Sequence, residues 1–179
     1  MFALNLGNNN FNGSIPSSIG SLVQLSYLHL ENNKSSRKLP SSLKNCKELV
    51  TVDIAKNDFV GSIPSWIGHR LSRLVILNLH SNNLHGYIPK ELYSLTLLHI
   101  LDLSHNMLFG SIPRCVHNFS AMATNNNSNY PFLLYHSSIE YNSRPFESQS
   151  VVIKGKDLKY STTLQLVKII DLSNNNLSG

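Results

Sequence analysis

The chain has only two cysteines, Cys46 and Cys115, among 179 residues. Two are too few for a disulfide framework, and their spacing matches no metal-ligand motif. Charge is also scarce: Asp, Glu, Lys and Arg together make up 14% of the chain, with a formal net charge of +5. Five of the basic residues, Lys34, Arg37, Lys38, Lys44 and Lys47, fall within fourteen positions. A nucleic-acid surface would interleave such a cluster with aromatics or sit in a known module, and neither is present. The cluster reads as a solvated face, with contact to an acidic glycan or partner as the alternative. No apolar run reaches the eighteen or more residues of a membrane span. Met1 is followed by "FALNLGNNN" rather than a charged head and an apolar core, so neither an export signal nor an anchor is expected within these residues.

What the chain does have is an internal repeat with a period of about 24 residues. "LNLGNNNFNGSIP" begins at Leu4, "LHLENNKSSRKLP" at Leu28, "VDIAKNDFVGSIP" at Val52, "LNLHSNNLHGYIP" at Leu77 and "LDLSHNMLFGSIP" at Leu101. A sixth copy, "IDLSNNNLSG", begins at Ile170. The first five starts are almost evenly spaced, whereas the step from Leu101 to Ile170 holds about 45 residues more than a repeat needs.

Each copy has a direct physical reading. In "LNL" or "LDL", apolar residues alternate with a polar one, which predicts a short strand with one face buried. Five positions after the first apolar residue stands an asparagine in every copy: Asn9, Asn33, Asn57, Asn82, Asn106 and Asn175. A buried amide donates and accepts at once, so these residues predict a ladder that satisfies backbone groups where each coil leaves its strand. Gly13, Gly61, Gly86 and Gly110, each followed three positions later by Pro, bend the coil. One coil cannot bury its apolar side alone, but stacked coils share a core, which predicts a curved solenoid with a parallel sheet on one face. Cys46 and Cys115 then lie about three coils, roughly 14 Å, apart and are not expected to pair. Each reads as a small buried apolar side chain.

The combination of LxxLxLxxN with xGxIP resembles the plant-specific class of leucine-rich repeats, found in plant receptor kinases, receptor-like proteins and polygalacturonase inhibitors. That resemblance implies an α/β leucine-rich-repeat solenoid. Its sheet is parallel and concave, with a second short strand near "GSIP" and short helical or 3₁₀ segments near "SSIGSL", "SSLKNC" and "KELYSL" on the convex side. The expected division is five coils over 1–120, the first incomplete, an irregular island over 121–163, and the start of the next repeat over 164–179.

The interruption is too long for a passive connection in a compact solenoid. Tyr130, Phe132, Tyr135, Tyr141 and Phe146, five of the chain's fourteen Phe and Tyr, lie within it, an enrichment that pure disorder would not show. Its second half, "SVVIKGKDLKY", predicts a strand, a Gly-centred turn and a shorter extended piece. "IPRCVHNFSAM", then an irregular stretch, then "VVIKGKDLKYSTTLQLVKIIDLSNNNLSG" is similar to the island region of plant receptor-like proteins of the xylanase-receptor type. There the island precedes a "KGxxxxY" element, here Lys154, Gly155 and Tyr160. Tyr141 stands thirteen positions before Lys154 rather than the nine of the family's Tyr-x8-Lys-Gly pattern, so that motif's role is not carried to Tyr141.

The resemblance implies an extracellular ligand-recognition segment of a receptor-like protein or receptor kinase at the plasma membrane, binding a protein or peptide in defence or development. A coreceptor kinase is the further partner of the full-length receptor; no cofactor is expected. Candidate contact residues are Tyr27, His29, Glu31, Asp53, Lys56, Asn78, His80, Asp102 and His105 on the strands, with Tyr135, Tyr141 and Lys154 in the island. The alternatives are a secreted enzyme inhibitor resembling polygalacturonase inhibitors, against which the island argues, or a truncated, non-functional gene product. The repeat pattern stops at both ends without a cap, which suggests an interior piece of a larger protein. Catalysis is not expected: Asp102 and His105 share a strand region, but no nucleophile motif or clustered metal ligands accompany them. Sequons stand at Asn12, Asn33, Asn118, Asn126 and Asn176. Asn33 is also a ladder position, so it is expected to stay unmodified while the other four are candidate glycosylation sites.

Overall fold

The computed structural model describes residues 1–112, 119–123, 149–153, 156–160 and 167–178. Five coils each contribute two strands before the break. In chain order these are β1 (Ala3–Asn5) and β2 (Asn12–Gly13), β3 (Tyr27–His29) and β4 (Lys34–Arg37), β5 (Thr51–Asp53) and β6 (Asp58–Gly61), β7 (Ile76–Asn78) and β8 (Asn83–Gly86), and β9 (Ile100–Asp102) and β10 (Met107–Ser111). The convex returns are 3₁₀ turns at Ser17–Ser21, Ser41–Asn45 and Lys90–Ser94, and one short helix, α1 (Trp66–Arg70). A second short helix, α2 (Ser120–Ala123), follows the fifth coil, and β11 (Gln149–Ile153) and β12 (Lys156–Tyr160) form an antiparallel hairpin. The sixth coil supplies β13 (Ile169–Asp171) and β14 (Asn176–Ser178).

The strands form two six-stranded parallel sheets, ordered β1-β3-β5-β7-β9-β13 and β14-β10-β8-β6-β4-β2. Register follows the repeat position by position, with Leu4 opposite Leu28, Val52 opposite Leu77, and Leu77 opposite Leu101. The long step between the fifth and sixth copies does not disturb this: Ile170 pairs with Leu101, and β14 pairs with β10. β9 and β13 are therefore direct neighbours in the sheet, with no strand between them. The sequence "SVVIKGKDLKY" covers the hairpin except for Gln149, and the second strand is as long as the first rather than shorter.

The step from Val52 to Leu77 is one residue longer than its neighbours, and this has a local cause. In the first coil the convex return closes through 3₁₀ bonds, with Ile19 N–H donating to the Pro16 carbonyl and Leu22 N–H to Ile19. In the third coil Leu71 N–H reaches back four positions to Ile67, which makes α1 helical rather than 3₁₀. The wider turn takes up the inserted residue, so strands on either side keep their register. The core is one continuous row of aliphatic side chains, including Leu28, Val52, Ile54, Leu77, Leu79, Leu101 and Leu103, with Phe59 and Phe119 among its largest members. Cys46 belongs to this row as a buried free thiol whose Sγ lies 3.3 Å from the Ile19 carbonyl; burial pushes its pKa up. Cys115 lies outside the described residues.

Gly13, Gly61, Gly86 and Gly110 have φ between 81° and 93°, and in the second coil the matching position is Arg37 at φ 73°. An L-residue held in that region suffers a steric cost that glycine avoids. Arg37→Gly is therefore expected to raise stability by up to about 1 kcal/mol, read as a higher denaturation midpoint with an unchanged m-value.

Candidate functional site

The asparagine positions build the frame of the concave face. Asn57 shows the pattern: its Nδ2 donates to the carbonyls of Ile54 and Ala55 in its own coil, each at 3.1 Å, and to Leu30 of the preceding coil at 2.9 Å. Its Oδ1 accepts from Ser35 N–H at 2.9 Å. Asn33, Asn82, Asn106 and Asn175 repeat this, each bonding its own coil and the one before it. The Asn9 side chain, in the first coil, bonds among the described residues only its own Leu6 and Gly7 carbonyls. The residue before each of these asparagines, from Asn8 to Asn174, sits at φ between 52° and 58°, which turns the chain so that the amide reaches inward.

A second recurring device is legible only in three dimensions. The polar residue in the middle of the apolar pair folds back on its own strand: Asn5, Asp53, Asn78, Asp102 and Asp171 each accept, through Oδ1, from the N–H two positions on. This is the local Asx bond that short polar side chains favour, and it ends the strand. The consequence is burial. Asp53 is 3% exposed, Asn78 4% and Asp102 1%, although the strand pattern predicts open contacts at all three. Side chains this short, drawn onto backbone lying about 4.8 Å from its neighbours, sink between the strands. The positions that begin the strands are likewise closed: Tyr27 is buried with Phe2 against its ring, centroids 5.1 Å apart, and Ile76 and Ile100 form a small cluster with Val75, Val167 and Ile169.

Accessible contacts therefore concentrate one step later in each coil. Lys56 and His105 are exposed, and Glu31 is partly exposed. His80 is buried at 8% exposure, its Nδ1 2.8 Å from Ser104 Oγ, which in turn donates to Asp102 Oδ1 at 2.5 Å. Burial pushes the Asp102 carboxyl up, while its Ser104 bonds and His80 pull it back. Ser104 is absent from the sequence candidates, since a serine among many carries no signal. Histidine, serine and aspartate do meet here, but Ser104 stands between the other two, fully buried, with its proton directed at the carboxylate. It presents no nucleophile to solvent. His105 stacks edge-on against His80 with centroids 5.1 Å apart, and its Nδ1 lies 2.7 Å from Asn174 Nδ2. On the flank of the same region, burial, with Lys168 adding to it, pushes His99 down.

The strands also bring His29, Glu31 and Asp53 together, with donor atoms all within 4.8 Å of one another, a grouping that the spacing of the repeat hides. Tyr135, Tyr141 and Lys154 lie outside the described residues, as do the sequons at Asn118 and Asn126.

Two models described as leucine-rich repeats match, one over residues 47–108 and the other over residues 3–22 and 24–46. Together they span more than half of the sequence. The chain belongs to the leucine-rich-repeat family. The chain is 35% identical to Receptor-like protein 35 of Arabidopsis thaliana, in an alignment that takes in 100% of this chain and 20% of that protein. It is 40% identical to Receptor-like protein EIX2 of Solanum lycopersicum over 77% of this chain and 14% of that one. The chain thus spans about a fifth or less of the length of these plant leucine-rich-repeat receptor-like proteins. Among solved structures, the ectodomain of the Arabidopsis receptor kinase HAESA in complex with an IDA peptide hormone matches with TM-score 0.64 and 39% identity, over 66% of this chain and 20% of that one.

Repeat geometry also sorts the sequons. Asn33 Nδ2, the atom a glycan would occupy, is engaged with the carbonyls of Leu6, Leu30 and Glu31. Asn12 and Asn176 are exposed. Expression in a secretory host followed by glycopeptide mass spectrometry is expected to find Asn33 bare; an occupied Asn33 would contradict its inward orientation.

Proposed function

We propose that the chain is part of the extracellular ligand-recognition region of a plant receptor-like protein or receptor kinase, binding a peptide or protein along the concave face, with a coreceptor kinase as the partner of the complete receptor. The observation that carries this reading is the alignment with Receptor-like protein 35 over 100% of this chain, break included. Structural neighbours support the mode of binding, since HAESA has been solved with both the peptide hormone IDA and the co-receptor SERK1. In this reading the repeats lie outside the plasma membrane; among the described residues no helix is long and apolar enough to cross one. The inhibitor reading gains nothing from the relatives, which are receptor-like proteins and receptors.

In this reading the open concave contacts are Glu31, Lys56 and His105, while Tyr27, Asp53, Asn78, His80 and Asp102 shape the floor beneath them. Residues 121–163, with Tyr135, Tyr141 and Lys154, form an island that adds to the same recognition surface. The test is a binding screen of secreted plant peptides against the immobilised chain, repeated with Lys56→Glu on the concave side and Lys44→Glu on the convex side. A rim charge reversal at Lys56 should weaken a bound peptide by about tenfold, leaving Lys44→Glu unchanged. Equal loss in both variants, or loss only in the convex one, would remove the concave face from the recognition surface.

A further inference from the structure

Glu31 is the odd member of its column. The matching positions in the other coils carry Gly7, Ala55, His80, Ser104 and Ser173. Its carboxylate lies over Gly7, so closely that a Cβ there would collide with Oε1, and Asn8 Nδ2 donates to that Oε1 at 3.2 Å. Oε2 is shut off from solvent and has no hydrogen-bond partner among the described residues. A carboxylate oxygen cut off from water and left unpaired favours a positive group beside it. Oε2 points at His29, whose Nδ1 is 3.9 Å away, and the carboxylate of Asp53 on the neighbouring strand completes the set.

We propose that His29, Glu31 and Asp53 form a binding site for a divalent first-row metal ion, with zinc as its closest chemical match. One imidazole and two carboxylates are ordinary zinc ligands, and three protein ligands leave a position open. Calcium would require six to eight oxygens, which this set does not supply. Ligands on a tetrahedral zinc stand about 3.3 Å apart, so donors already within 4.8 Å of one another need only a small closing movement. The supports are in place: Asn8 holds the other oxygen of Glu31, and Ala55 N–H holds Oδ1 of Asp53 at 3.0 Å. Side-chain exposures of 12% for His29 and 25% for Glu31 leave the site reachable from the concave groove. A position left open by three protein ligands suits a water or a carboxylate of a bound molecule. The site does not depend on the receptor reading, because it is built wholly from the first three coils.

The test needs no peptide ligand. Untagged chain is titrated with zinc by calorimetry, with magnesium in parallel, and with cobalt(II) followed by visible absorption. One equivalent of zinc is expected to bind and to raise the thermal midpoint, while magnesium does neither. Glu31→Gln and His29→Gln, each checked by circular dichroism for folding, should weaken zinc by more than about tenfold. His105→Gln, on the same face but outside the set, should leave affinity unchanged, and the cobalt spectrum should indicate nitrogen and oxygen ligation in the unsubstituted chain. Failure to bind one equivalent, affinity unmoved by Glu31→Gln, or loss on His105→Gln instead would overturn the assignment.

Discussion

Leu79→Ala is expected to destabilise the chain by about 2–5 kcal/mol, the sum of lost transfer energy and the cavity left behind. Leu79 is fully buried in the fourth coil, in the middle of the continuous aliphatic row, with coils on both sides of it. In a stack where each coil contacts only its neighbours, a defect at the centre also uncouples the two halves, so the denaturation curve should broaden as its midpoint falls. Ile170, the counterpart of Leu77 in the sixth coil, is 38% exposed and supplies the comparison. Ile170→Ala should cost clearly less. Denaturant titration of the two variants decides the matter, and a loss below about 1 kcal/mol for Leu79→Ala would be incompatible with its place in the core.

Asn82→Ala is expected to have an effect of the same order. The amide donates to the carbonyls of Ile54, Leu79 and His80 and accepts from Phe59 N–H at 3.0 Å, all in buried surroundings. Truncation leaves one buried N–H and several carbonyls poorly satisfied at once, for an expected cost of about 3–5 kcal/mol. Asn82→Asp should be no milder, since a carboxylate would turn a second acceptor toward the carbonyls that Nδ2 now serves. Asn9→Ala is the control. Its bonds are exposed and confined to its own coil, so its loss should fall near or below about 1 kcal/mol. Similar costs for Asn9→Ala and Asn82→Ala would mean that the bonds between coils contribute nothing beyond the local turn.

These two experiments separate what a repeated pattern announces from what it conceals. A leucine or an asparagine that recurs once per coil is visible because the same physical demand recurs in every coil. The same regularity hides the behaviour of Asp53, Asn78 and Asp102. On a strand pattern they occupy the outward position, which predicts open side chains; their Asx bonds and the closeness of neighbouring strands bury them instead. The hairpin β11–β12 is legible from the sequence "SVVIKGKDLKY", whereas the helical rather than 3₁₀ character of α1 follows from one inserted residue whose place in the coil the spacing alone does not reveal.

By itself, the sequence determined the repeat, the facing of each leucine, the inward asparagines, the parallel stacking and the one interruption, because each depends on local alternation or on a residue type demanded at a fixed place in every coil. Tertiary structure alone decided which concave residues remain accessible, and that His29, Glu31 and Asp53 share one corner around an unpaired carboxylate oxygen. It decided as well that Ser104 bridges His80 and Asp102, whose Nδ1 and Oδ1 lie 3.8 Å apart. The physical reason is the same throughout. Burial and side-chain encounter arise between coils, across spacings of one repeat or more, where a side chain's conformation and its neighbour's size count for more than its place in the pattern.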